Sequence, residues 1–128
     1  MLFRVSKMSV LLLVLICVIF GVVGQLVMKK GTNTIGTITV RDIFSMRLFS
    51  IVFQKHIFVG IVLYILSSMI WLVAMSQEEL SFIYPLIAIG YILTAILAWF
   101  FFGEKLTLFR FFGIFLICGG VFLIVLKI

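Results

Sequence analysis

Four times along the chain, apolar residues run almost unbroken for about 20 positions, at 9–28, 57–75, 83–102 and 108–126. As helices rising about 1.5 Å per residue, runs of this length cross a hydrocarbon core about 30 Å thick. Lipid offers no partner to a backbone N–H or C=O, so each run must satisfy its own peptide groups as a helix, interior glycines included. The pattern predicts an all-α integral membrane protein, a four-transmembrane-helix bundle forming a single domain over residues 1–128. The connection 29–56 is far longer than those at 76–82 and 103–107. Its part 40–53 is apolar but interrupted by Arg41, Asp42 and Arg47, which makes it too short to span. An interfacial or re-entrant helix between the first and second spans fits that stretch.

Composition removes the soluble alternative. The 128 residues are 66% hydrophobic and 11% charged, with a mean hydropathy of +1.47, and a water-soluble fold of this size would leave large apolar patches facing solvent. Cys17 and Cys118 each lie inside an apolar run, where they read as small hydrophobes without metal-ligand spacing. The net charge of +6 does not point to nucleic acid, because the basic residues flank the apolar runs and no aromatic-basic face stands clear of the bilayer. Lys29, Lys30, Arg41, Arg47, Lys55, Lys105 and Arg110 fall on one side, against Arg4, Lys7 and Lys127 on the other. That count puts the basic connections in the cytoplasm, while the charges just before the first helix pull the other way, so orientation stays open. Arg4 and Lys7 resemble a secretory leader's start, but the run that follows is long and lacks a small-x-small cleavage site, so it is expected to be retained.

No enzyme constellation emerges. His56 is the single histidine, the four acids lie in connections or at helix ends, and no metal or cofactor is expected. Glu78 and Glu79 read as solvated loop acids. The informative residues are polar groups within the runs, because each needs a partner or a wet cavity. Gln25 and Lys29 share a face one turn apart, with Lys30 adjacent. They could hold a phosphate, or the lysines could simply complement a helix C-terminus and reach to the interface. Tyr64, Ser68 and Trp71 form a stripe on the second span; Tyr84 and Tyr91, followed by Thr94, form one on the third. Facing each other, the stripes would line a cleft; an aromatic belt and ordinary packing explain them equally. Pro85 is expected in the first turn of the third helix, where its missing N–H costs little. Gly113 and Gly120 expose backbone along one face of the last span and suggest a dimer contact.

Four ordered segments carry a resemblance: GVVGQLVMKKG at 21–31, the stretch 71–85 ending in YP, WFFFGEKLT at 99–107 and GIFLICGGV at 113–121. Together they resemble the drug/metabolite transporter superfamily, with its small multidrug resistance and EamA-like four-helix branches, over nearly the whole chain. In the small multidrug resistance branch, a first-helix glutamate exchanges proton and drug. Aligning the GxxxMK segment puts Gly21 at that position, so the resemblance implies that the ion-exchange group is absent. The chain is more similar to the small flippase subunits that move aminoarabinose linked to undecaprenyl phosphate, through Gly24-Gln25-Leu26, the DIF segment at 42–44 and SFIYPL at 81–86.

That resemblance implies site positions at Gln25, Lys29, Tyr84 and Pro85. Gly103 and Glu104 match the family's GE turn, with Glu104 expected to order the third connection without touching substrate. The expected activity is translocation of a polyprenyl-phosphate-linked sugar or related anionic lipid head group across the bacterial inner membrane. Membrane lipid and a second four-helix chain, identical or similar, are the expected partners. Lys29 and Lys30 would neutralise the phosphate; Gln25, Tyr64, Ser68, Trp71, Tyr84, Pro85 and Tyr91 would surround the sugar. Two rival readings remain: an exporter of small molecules, and a non-transporting subunit of a membrane glycosyltransferase complex.

Overall fold

The computed structural model describes residues 7–126; Arg4 and Lys127, which entered the charge comparison, lie outside the described residues, as does the side chain of Lys7. The chain forms α1 (Lys7–Ile35), two short helices α2 (Val40–Ile43) and α3 (Arg47–Val52), then α4 (Lys55–Gln77). Next come α5 (Leu80–Ile83), a 3₁₀ turn (Tyr84–Ile87), α6 (Ala88–Phe102) and α7 (Leu108–Val125). No strand occurs among the described residues. Four stretches are long and apolar enough to cross a membrane: Ser9–Ile35, Lys55–Gln77, Leu80–Phe102 and Leu108–Val125.

Three boundaries differ from the sequence pattern for identifiable reasons. The first helix continues past residue 28 to Ile35. Thr32 Oγ1 donates to the Lys29 carbonyl at 2.8 Å and Thr34 Oγ1 to that of Lys30 at 3.1 Å. The helix stops where Gly36 takes φ +99° and its N–H bonds the Thr32 carbonyl at 2.8 Å. Residues 29–35 therefore extend α1 by about 10 Å beyond the apolar run, and both lysines sit on helix instead of in a loop.

The stretch 40–53 is helical but split. Ser45 Oγ donates to the Asp42 carbonyl at 3.0 Å and accepts from the Arg47 N–H at 3.3 Å, so a side chain competes for backbone groups that a continuous helix would pair. Asp42 organises this turn: its carboxylate accepts from the Thr39 backbone N–H at 3.0 Å and pairs with Arg47 at 3.0 Å.

The third span begins at Leu80, earlier than the apolar run suggests, so Pro85 lies inside the span and not in its first turn. Without an N–H, Pro85 cannot bond the Ser81 carbonyl, and the chain tightens into the 3₁₀ turn.

The tightest packing joins α1 to α4. A Cβ placed on Gly24 would lie 2.9 Å from the Gly60 carbonyl, and one on Gly60 would lie 2.6 Å from the Gly24 carbonyl and collide with Met28. One Cβ further along, at Gly31, would meet Ile57 Cγ1 at 2.5 Å and Gln54 Oε1 at 2.6 Å. Small residues thus bring the two backbones together, the contact that lipid-embedded helices depend on. Beside this crossing, Val10, Val14, Val18 and Val22 of α1 form a buried row against Ala74, Ile83 and Leu86. The last span, α7, buries no residue and meets the bundle chiefly along α6 and the 3₁₀ turn. Gly113, Gly119 and Gly120 have no atom within 4 Å of a virtual Cβ, so their face is open within the chain.

Replacing Gly60 with Ala should lower the midpoint of unfolding in detergent by the equivalent of about 1–3 kcal/mol, the usual cost of overpacking; an SDS titration reads this directly. A second expectation concerns acid. The Asp42 carboxyl is held below its ordinary value, first by the Thr39 backbone N–H, then, against an opposing effect of desolvation, by the Thr39 side chain and Arg47. Its charged form favours the folded turn, so the contribution is complete above the ordinary aspartate range and fades as pH falls through the lowered value. Hydrogen exchange across 39–47 should stay protected from neutrality to that range and weaken below it, and Asp42→Asn should remove the pH dependence.

Candidate functional site

A groove of about 630 Å³ opens between α1, α4 and the third span. From α1 come Cys17, Gly21 and Gln25, each one turn beyond the last and therefore on one stripe. From α4 come Tyr64, Ser67, Ser68 and Trp71, and from the third span Tyr84, Pro85, Tyr91 and Thr94. The structure thus gathers Gln25, Tyr64, Ser68, Trp71, Tyr84, Pro85 and Tyr91 around one space. The two stripes predicted on separate spans face each other.

Several local features shape that space. The 3₁₀ turn at Pro85 sets Tyr84 against Trp71, with ring centroids 6.2 Å apart at 69°, an edge-on contact that pins the third span to α4. Ser68 Oγ donates to the Tyr64 carbonyl of its own helix at 3.0 Å, which uses its hydrogen and leaves the oxygen able to accept. At the groove floor, the buried Ser67 Oγ donates to the Cys17 carbonyl at 2.8 Å, while Cys17 Sγ lies 3.2 Å from both the Ser67 carbonyl and its hydroxyl. This reciprocal bridge ties α1 to α4 and leaves neither polar side chain unpartnered.

Cys17 and Ser67 are the residues that the sequence reading overlooked. Cys17 passes for a small hydrophobe in an apolar run, and Ser67 sits beside the more conspicuous Ser68. The available signal was the spacing of Ser67 and Trp71, one helical turn apart.

No groove-lining residue carries a charge. Gly21, aligned above with the small multidrug resistance glutamate, lies on the floor, where its Cβ would stand 3.3 Å from Ser67 Oγ. Its lack of a side chain keeps the floor open and uncharged. What remains is a largely apolar concave surface of aromatic and aliphatic side chains, with hydroxyls and one carboxamide among them. Such a lining hydrogen-bonds and stacks on neutral polar solutes while offering no counter-charge to an ion.

Lys29 and Lys30 do not line the groove; both are exposed. Lys29 stands one turn past Gln25 on nearly the same face, and Lys30 is turned well around the helix. At the third connection Gly103 adopts φ +65° and the Glu104 N–H reaches the Ala98 carbonyl at 3.4 Å, closing α6 with a left-handed glycine turn. Glu104 borders a second, smaller cavity.

Four apolar spans, three of which enclose an uncharged and largely apolar groove, place the chain among multi-pass membrane proteins. The EamA-like transporter family matches residues 6–126, and the chain belongs to that family. Over 69 residues, 52% of the chain, it is 38% identical to a protein of Sodalis glossinidius (strain morsitans) named probable 4-amino-4-deoxy-L-arabinose-phosphoundecaprenol flippase subunit ArnF. The match covers 53% of that protein, so the chain spans about half the length of the curated relative it matches. No solved structure matches the chain.

Removing the Ser67 hydroxyl should unlock the floor. Ser67→Ala is expected to cost about 0.6–1.5 kcal/mol of stability, the range for an interhelical hydrogen bond in a membrane. Ser68→Ala, whose bond is local to α4, should leave the SDS-unfolding midpoint within error of the native chain. A double-mutant cycle with Cys17→Ala isolates the coupling between the two positions.

Proposed function

We propose that the protein is a translocase for a polyprenyl-phosphate-linked sugar in the bacterial inner membrane. The observation that carries this reading is the neutral groove itself, with Gln25 on its wall and Lys29 one turn beyond on the same helix face. A sugar phosphate crossing bare hydrocarbon would lose many kcal/mol of hydration, with idealised estimates for an ion on the order of tens. The groove offers hydroxyls and aromatic faces to the sugar along the way. Its open side lets the polyprenyl tail remain among lipid chains. Lys29 and Lys30, exposed at the basic end of the bundle, supply positive charge for the phosphate.

The relative's name, a flippase subunit that handles an aminoarabinose lipid, supports the same cargo class. An exchanger of lipophilic cations is the poorer reading, because no carboxylate lies on the groove wall. A second four-helix chain, identical or similar, is the proposed partner. The open glycine face of α7, at Gly113 and Gly120, would meet it.

Lys29→Gln combined with Lys30→Gln should reduce transfer of a polyprenyl-phosphate sugar across proteoliposomes by about tenfold or more, roughly one charge-assisted contact or greater. Membrane insertion and the unfolding midpoint should be retained. Undiminished transfer by the double variant would remove the phosphate assignment.

A further inference from the structure

The second cavity, about 280 Å³, lies between α6 and the turn that leads into α7. It shares Tyr91 and Thr94 with the groove, so the two spaces meet along α6. Glu104, Lys105 and Arg110, all exposed, border it, so that one acidic and two basic residues flank one small space. No ion pair within 4.0 Å joins Glu104 to either cation; the ion pair found among the described residues is that of Arg47 with Asp42. Arg110 Nη1 instead donates to the Lys105 carbonyl at 3.0 Å, which anchors the guanidinium and leaves its other N–H groups available.

Opposite charges that border one cavity without neutralising each other suit a ligand that carries both signs. A purely cationic ligand would meet two like charges there, and a purely anionic one would meet a carboxylate. The chain direction places this cavity at the same end of the bundle as Lys29, Lys30 and Lys55, since α1 ends, α4 begins and α6 ends there.

We propose that this cavity is a loading station for a zwitterionic head group, a phosphate together with a primary amine. Glu104 receives the ammonium, and Lys105 and Arg110 receive the phosphate. The sugar then passes along Tyr91 and Thr94 into the uncharged groove. Because Lys29 and Lys30 stand at the same end, the phosphate can move between the two pairs of cations without entering the apolar layer. The assignment rests on the translocase reading and adds to it a reason for selecting amino sugars over their hydroxyl counterparts. It also gives Glu104 a ligand contact beyond its place in the turn.

The test uses the full chain in nanodiscs with two soluble probes, 4-amino-4-deoxy-L-arabinose 1-phosphate and L-arabinose 1-phosphate, and reads equilibrium binding. The native chain should prefer the amino sugar by about tenfold, the scale of one charge-assisted contact. Glu104→Gln should abolish that preference, with arabinose phosphate bound at least as tightly as by the native chain, Glu104→Asp should retain part of it, and Arg110→Gln should weaken both probes. Glu104→Ala supplies the same comparison if the glutamine variant fails to fold. Preference undiminished in a folded Glu104 variant overturns the assignment, and the translocase reading stands if the native chain still transfers a lipid-linked sugar. Absence of both probe binding and lipid-linked sugar transfer in the native chain overturns both.

Discussion

Where Gly24 and Gly60 face each other, two helix backbones approach as closely as peptide groups allow, and the rest of the bundle is arranged around that approach. Between lipid-embedded helices there is little hydrophobic drive to associate, because acyl chains solvate a leucine as well as another leucine does. Close backbone packing must supply the attraction, and a side chain on either glycine would hold the helices apart. With α1 and α4 drawn together here, Cys17 and Ser67 come within reach and exchange hydrogen bonds two turns further along. That second tie places Gly21 beside Ser67 and sets the floor of the groove.

The groove follows from what cannot pack as closely. Gly90 of α6 approaches Val18 and Val22, but Pro85 interrupts the helical ladder, and the 3₁₀ turn presents Tyr84 toward Trp71 of α4. Where the third span does not pack against α1, the aromatic rings of Trp71, Tyr84, Tyr64 and Tyr91 line the concave space that is left. Charge is arranged in the complementary way. The wall of the groove carries no charged residue, whereas charged residues lie at the ends of the bundle and border the second cavity. An ion within the apolar layer would need a partner of its own, and leaving the wall uncharged avoids that cost.

Particular residues show how far the sequence could be read. Tyr64, Ser68 and Trp71 fall on one stripe because helical spacing requires it, and their partners on the third span were visible for the same reason. Residues 29–35 looked like the start of a loop because they are polar, yet threonine hydroxyls bonded back to the helix and carried it to Gly36. Gly113 and Gly120 read as a face for a second chain and stay open here, while close packing within the chain falls to Gly24, Gly31 and Gly60. Glycine spacing on one helix states that a backbone is exposed and is silent on which neighbour approaches it. Lys29 and Lys30 read as part of the binding face, and the fold puts them beyond its wall on the exposed continuation of α1.

Sequence alone determined that the solvent is lipid, that the chain crosses it four times as helix, and which polar side chains share a face within each span. These properties depend on composition and on the 3.6-residue repeat, both local to a segment. Which faces meet, where the groove opens, that Ser67 bonds Cys17 fifty residues away and that Glu104 borders a cavity with Arg110 were decided only by tertiary structure. Such contacts depend on the angle and separation of helices distant in the chain, and those are set by how neighbouring surfaces fit, which no single segment contains.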